Sequence, residues 1–220
     1  MFDFKKLFID LLFPIECLGC GEKEHWLCPA CSAKIEIKFK NQPEIFAPNQ
    51  SLTGVWLAAD YRQPLLIKVL HTFKYSFVVC LGQDLAEVLI RFLSFKIKQK
   101  EISGFDLVIA IPLAKRRRLW RGFNQAEILA AEISRHFSWS NKSDLLFRKY
   151  YNRPQVGLKA VDRIINVKGI FCVQRSDLLK NKKVLLIDDV VTTGATMQEC
   201  AKVIKEAGAK EIWGLAVARG

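Results

Sequence analysis

Residues 184–196 read VLLIDDVVTTGAT. Four apolar residues run straight into two adjacent aspartates, and a loop of small hydroxyl residues with one glycine follows. An unbroken apolar run of this kind is the mark of a strand buried on both faces, as in a parallel sheet covered by helices. In an open parallel sheet, ligands sit beyond the carboxyl ends of the strands. Asp188 and Asp189 stand at such an end. Thr196 and Glu199 form a capping-box pattern. The loop Thr192, Thr193, Gly194, Ala195, Thr196 therefore leads into a helix start, with Gly208 suited to the far end.

A helix start offers free backbone N–H groups and a partial positive charge, which together bind phosphate. Gly194 lets the backbone approach closely, and the threonine hydroxyls add donors. The carboxylates would repel phosphate, so they serve another part of the ligand. An ionised carboxylate only accepts, and the vicinal hydroxyls of a ribose donate. The stretch thus predicts a sugar 5-phosphate, with phosphate on the loop and hydroxyls on Asp188 and Asp189. It is neither a Gly-Lys-Ser/Thr loop nor a G-x-G-x-x-G turn. The alternatives are a plain strand end with a polar turn, or Mg²⁺ bound directly by the aspartates. A substrate-borne Mg²⁺ is the better expectation, because the ion keeps waters and takes phosphate ligands.

Outward from this stretch, short apolar runs alternate with longer periodic ones. GVWLAAD (54–60), FDLVIAIPL (105–113), GIFCV (169–173), KKVLLID (182–188) and EIWGLAVA (211–218) read as strands. Pro64–Tyr75, Leu81–Lys98, Asn124–His136 and Met197–Ala207 read as helices. The alternation predicts an α/β fold with a parallel sheet. FKNQPEIFAPNQSLTG (39–54) reads as a linker. We expect residues 1–45 to form an N-terminal module and residues 46–220 the main domain.

In the module, Cys17, Cys20, Cys28 and Cys31 make C-x₂-C-x₇-C-x₂-C. Two close pairs can supply four thiolates to one tetrahedral Zn²⁺, and a segment this small needs such a staple. Four protein ligands leave no open position, so the zinc is expected to be structural. Unligated buried cysteines are the alternative. His25 is expected at the surface, and Cys80, Cys172 and Cys200 in the core. Ahead of the module, Phe4, Leu7, Phe8, Leu11 and Leu12 fall at helical spacing, ended by Pro14. A short amphipathic helix docked on the body is expected, with a membrane-surface anchor as the alternative.

The chain has 220 residues, half of them hydrophobic and a quarter charged, enough for one good core. The net charge of +12 favours a polyanionic partner: nucleic acid, a phosphorylated metabolite or an anionic membrane. With no spanning run and no export signal, the cytoplasm is the expected compartment, where the seven cysteines stay reduced.

IAIPLAKRRRLWRGFNQAEILA (109–130) gathers Lys115, Arg116, Arg117, Arg118 and Arg121 after a strand end. Arginine there suits a diphosphate leaving group. Trp120 and Phe123 among these charges also suit single-stranded nucleic acid. The bland reading is a solvated basic loop with both aromatics packed down. A second polar set, Arg153, Gln155, Lys159, Arg163 and Asn166, lies in a long segment that reads either as a lid or as an ordinary surface connection.

The acidic pair with its Thr-Thr-Gly-x-Thr loop resembles the PRPP-binding motif of type I phosphoribosyltransferases. Together with the paired cysteines, LLIKVLHTFKY, IPLAKRRRLWRGFNQAEILA and RPQVGLKAVDRIINVKGIF, the chain resembles the ComF (competence protein F) family over nearly its whole length. That resemblance implies a Rossmann-like type I phosphoribosyltransferase fold behind an N-terminal zinc finger, in a cytoplasmic protein. It implies PRPP or ribose 5-phosphate as ligand, with Mg²⁺, and a phosphoribosyl transfer to an acceptor the sequence does not reveal. Carried over, Asp188 and Asp189 hold the ribose, while Val190, Thr192, Thr193, Gly194, Ala195 and Thr196 form the binding loop. Arg116 and Lys115 face pyrophosphate, and Arg153, Gln155 and Arg163 cover the site. The rival implication is a non-catalytic accessory of DNA uptake that binds single-stranded DNA or DNA-uptake proteins. Two departures stand out: Ala114 replaces an expected histidine, and KYSFVV lacks an expected glycine. The oligomeric state is not legible.

Overall fold

The structure is a computed structural model that describes residues 15–46, 51–149 and 169–220. The proposed N-terminal helix and the segment bearing Arg153, Gln155, Lys159, Arg163 and Asn166 lie outside the described residues.

Five parallel strands form the central sheet: β1 (Gly54–Leu57), β2 (Leu107–Ala110), β3 (Ser140–Asn141), β6 (Lys183–Val191) and β7 (Glu211–Arg219). Their order is β1-β7-β6-β2-β3. β6 is apolar on both faces because helices cover both. Leu185 and Ile187 enter one core with α2 (Pro64–Tyr75), α3 (Leu81–Lys98) and α5 (Gln125–Phe137). Val184 and Leu186 enter the other with α6 (Ala195–Glu206), through Met197, Cys200, Ala201 and Ile204. This is the period-two alternation of a strand seen from within.

The extents of α2 and α3 are those their apolar spacing predicts, and Gly208 takes the left-handed φ of +95° after α6. Other expectations are corrected. GIFCV does not join the parallel sheet. Its residues Phe171–Val173 (β5) pair antiparallel with Leu146–Arg148 (β4) in a separate ribbon. Within the ribbon Leu146 and Phe171 are buried while Phe147 on the other face is exposed and Cys172 intermediate, so this ribbon is covered on one side only. The basic run is not a loop: Lys115–Arg121 form helix α4, since lysine, arginine and leucine are good helix formers. Gly122 ends it at φ +74°. Of the three remaining cysteines only Cys200 is buried; Cys80 is exposed and Cys172 intermediate.

The cysteine module includes the short helix α1 (Pro29–Ser32). Its Cys17, Leu27, Cys28, Cys31 and Ile35 join the same core as Leu66 and Leu70 of α2. Beyond the module, the linker is tied down rather than free. Lys38 donates its N–H to Ala58 (2.7 Å), and Glu44 pairs with Val55 in both directions (2.8 and 2.9 Å). Lys96 of α3 is 1% exposed, lies 4.5 Å from the centre of the Trp56 ring and donates to the Asn41 carbonyl (2.9 Å) and to Glu101 (2.7 Å). A buried ammonium needs such partners, and here they hold the linker against α3.

Candidate functional site

The chain runs from β2 outward to β3, then returns to the other side of β2 to lay down β6 and β7. The sheet's order therefore reverses between β2 and β6, and a crevice opens at such a point. β2 ends at Ala110, paired with Ile187. Asp188 is thus the first residue beyond the shared ladder, while β7 continues beside it, Asp188 opposite Ala216. α4, with Lys115 and Arg116 in its first turn, starts five residues after β2 ends. The acidic pair and the start of α4 thus follow the carboxyl halves of two adjacent strands.

The two aspartates occupy different environments. Asp189 is buried and its Oδ1 accepts the Val190 N–H (2.6 Å). Lys74 of α2 brings its ammonium to 3.2 Å from Oδ2. The alignment falls short of a hydrogen bond, so Oδ2 keeps accepting capacity for an incoming donor. Asp188 stays partly exposed and its Oδ1 accepts the Asp189 N–H (2.9 Å). Burial first, then the neighbouring Asp189 charge, push the Asp188 carboxyl up to about 8. On the α6 side, burial and then the Asp188 charge push the Cys200 thiol up as well. The two carboxyls thus differ in setting: Asp188 is raised, while Lys74 stands beside Asp189.

Lys74 was not among the sequence-predicted site residues. Its signal was available, because Leu66, Leu70 and Lys74 are spaced by four and the first two are buried. A lysine on a buried stripe calls for an anionic partner.

After β6, Thr192 and Thr193 are exposed and Gly194 adopts φ +75°. α6 begins at Ala195, so Thr196 lies in its first turn and does not cap it. The expected capping box does not form, since the left-handed glycine itself starts the helix. Glu199 instead accepts the Gly169 N–H (2.6 Å). Gly194 at the N-cap position makes no side-chain cap, and Thr193 Oγ1 accepts the Ala195 N–H (3.4 Å). Beyond Ala195, a helix start leaves further first-turn N–H groups without intrahelical acceptors, and such groups can bind an anion.

In α4, Arg116 and Arg117 are exposed, Arg118 pairs with Glu127 (2.6 Å), and Arg121 is buried beside Gln125 (3.2 Å). Asn124 caps α5 through the Ala126 N–H (3.2 Å) and donates to the Ile111 carbonyl (3.0 Å), which pins RGFNQA to the end of β2. Phe123 packs on Phe73, ring centres 5.5 Å apart, while Trp120 stays exposed. Arg148 of β4 is a cation sequence reasoning missed. Burial, then repulsion from Arg117, hold its guanidinium below its ordinary range. Only the fold brings β4 near α4, and nothing local marks it.

The four sulfurs of Cys17, Cys20, Cys28 and Cys31 lie within 4.8 Å of one another. Cys20 and Cys28 are 3.7 Å apart. A tetrahedral site with Zn–S arms of about 2.3 Å has edges of about 3.8 Å. Backbone N–H groups of Gly19 (3.4 Å) and Cys28 (3.3 Å) point at the Cys17 sulfur. Burial raises that thiol, but these donors and Cys20's outweigh it and bring it down to about 6. A Cβ at Gly19 would lie 2.6 Å from the Cys31 sulfur, so only glycine fits the turn. The residues fit a metal ion well. His25 is exposed and stands outside the set, as expected.

The phosphoribosyl transferase domain family matches residues 121–218. Competence protein F of Haemophilus influenzae is 28% identical over 205 residues, covering 91% of this chain and 89% of that protein. DNA utilization protein YhgH of Escherichia coli O157:H7 is 32% identical over 210 residues, covering 90% and 86%. Among solved structures, purine phosphoribosyltransferase from Pyrococcus horikoshii Ot3 superposes with a TM-score of 0.38 at 20% identity, over 62% of this chain and 83% of that one.

Proposed function

The chain belongs to the ComF family, which takes in competence protein F and DNA utilization protein YhgH, and on that premise we propose that it binds PRPP or ribose 5-phosphate at the end of β6. One observation carries the reading: Asp188 and Asp189 lie near the end of β6, which runs on to Val191 and leads through a left-handed Gly194 directly into a helix start. The loop Thr192–Thr196 takes the 5-phosphate and the aspartates take the ribose hydroxyls. Arg116 and Lys115, at the start of α4, face the diphosphate, with Mg²⁺ entering as part of the PRPP complex.

Phosphoribosyl transfer breaks the bond from C1 to the diphosphate through a cation-like sugar. The protein's part is position and electrostatics: carboxylates under the ribose and arginines on the departing charge. No covalent nucleophile is required. In the cysteine module the four thiolates hold a structural zinc ion, leaving no position for metal chemistry.

Calorimetric titration of PRPP with Mg²⁺ tests the site. The Asp188→Asn/Asp189→Asn double variant is expected to bind at least tenfold more weakly than the wild type. Equal affinity, or no binding by the wild type, removes the reading.

A second reading, single-stranded DNA handling, is favoured by a specific surface. Trp120 stands 5.9 Å from Tyr75 and 6.0 Å from Phe77, ring centre to ring centre. All three are exposed, by 56%, 44% and 52%, beside Arg116 and Arg117. Exposed rings amid cations suit stacked bases on a neutralised backbone, at about 1–3 kcal/mol per stacked base. The names of the relatives, competence and DNA utilization, point the same way. Binding of labelled oligonucleotide measured across salt concentrations is expected to show a steep slope, lowered by about 0.7 in Arg117→Ala. Trp120→Ala is expected to weaken binding at every salt concentration. No binding at low salt eliminates this reading.

A further inference from the structure

We propose that Phe46 is a positioning residue for the phosphate loop, so that the linker from the cysteine module sets the shape of that loop. The proposal rests on the sugar-phosphate reading of Thr192–Thr196 for its functional meaning, but its geometry stands apart from it.

Gly194 holds φ +75°, and a Cβ built there would lie 2.7 Å from Phe46 Cγ and 2.9 Å from both Cδ atoms. The ring therefore lies flat on the glycine, in the space a side chain would need. Phe46 is itself clamped. The Arg219 guanidinium lies 5.1 Å from its ring centre, and Arg219 Nη1 meets Glu44 Oε2 at 2.6 Å. Glu44 in turn is bonded both ways to Val55 of β1. Arg219 ends β7, whose next residue donates its N–H to the Val191 carbonyl (2.9 Å), at the loop's first step.

This arrangement acts on the loop's one soft joint. Glycine populates left-handed and right-handed backbone about equally. An unsupported Gly194 would let the donors of the loop swing away from a common focus. An anion site needs its donors held to within about half an ångström. The ring packs directly against the glycine and so resists movement of the peptides on either side of it. The linker upstream is fixed by Lys96 on Asn41 and by Lys38 on Ala58, so the support reaches back towards the cysteines.

The experiment compares the full-length wild type with Phe46→Ala, Phe46→Leu and Phe46→Tyr. Amide hydrogen exchange in the ligand-free protein is read at residues 192–197 and at 184–188. Calorimetry with ribose 5-phosphate follows. Phe46→Ala is expected to speed exchange in the loop at least tenfold while residues 184–188 keep their protection, and to weaken ribose 5-phosphate about tenfold. Phe46→Tyr is expected to restore both, and Phe46→Leu, which keeps bulk without a flat ring, carries the same comparison if the alanine variant does not fold. Unchanged loop exchange overturns the proposal. Exchange that rises equally in β6 also overturns it, because the ring would then be ordinary core. A wild type that ignores ribose 5-phosphate counts against the proposed ligand, and the exchange result alone then decides the role of Phe46.

Discussion

Asp188→Asn is expected to make the protein more stable at pH 8 while removing sugar-phosphate binding. The Asp188 carboxyl titrates near 3.8 in an open chain and is pushed up to about 8 in the folded protein, by burial and by Asp189. Between those values the folded state binds a proton that the unfolded state does not. Stability from this group is therefore full below about pH 4 and falls as pH rises towards 8. Asparagine keeps the shape and removes the titration. The variant should gain on the order of 1–3 kcal/mol over the wild type at pH 8, a rise of several degrees in Tm for a chain of this size. Its stability between pH 5 and 8 should be flatter. Thermal melts at pH 5, 6.5 and 8 check this. A variant less stable than the wild type at pH 8 would show Asp188 to be a supporting group and not a carboxylate held at a cost.

The second large effect belongs to the cysteines. Chelation of zinc, or Cys28→Ser, is expected to unfold the module and weaken the whole domain. Zinc contributes roughly 10–16 kcal/mol to small zinc-folded peptides. Here the module's Cys17, Leu27, Cys28, Cys31 and Ile35 share a core with α2, α3 and the sheet. Losing them exposes Leu66 and Leu70 as well as the module itself. Elemental analysis should give one zinc per chain, and chelator should lower Tm by ten degrees or more. Cys80→Ser, at an exposed position outside the cluster, should change neither. A chain free of zinc with an unmoved Tm would refute the metal site.

Much of this molecule could be read along the chain. The ends of α2 and α3 followed from apolar spacing, and the four cysteines from two close pairs. The acidic pair and its loop were legible because strand, turn and helix start are one continuous stretch. Partners from elsewhere in the chain were not. Lys74, Arg148 and Phe46 are each brought to the region of β6 and its loop from another element, and 39–54 read only as a linker. GIFCV looked like a sheet strand because three apolar residues carry no information about which neighbour they will find.

By itself, then, the sequence determined the local chemistry: which segments bury apolar faces, where a sheet strand carries two carboxylates near its end, which thiols can share a metal. The reason is that periodicity, glycine placement and close ligand pairs act over a few residues. Only the tertiary structure decided how the two aspartates differ, which lysine faces one of them and which ring steadies the glycine. Burial, charge and contact of that kind arise between residues far apart in the chain, and they exist only once the sheet has brought those residues to one edge.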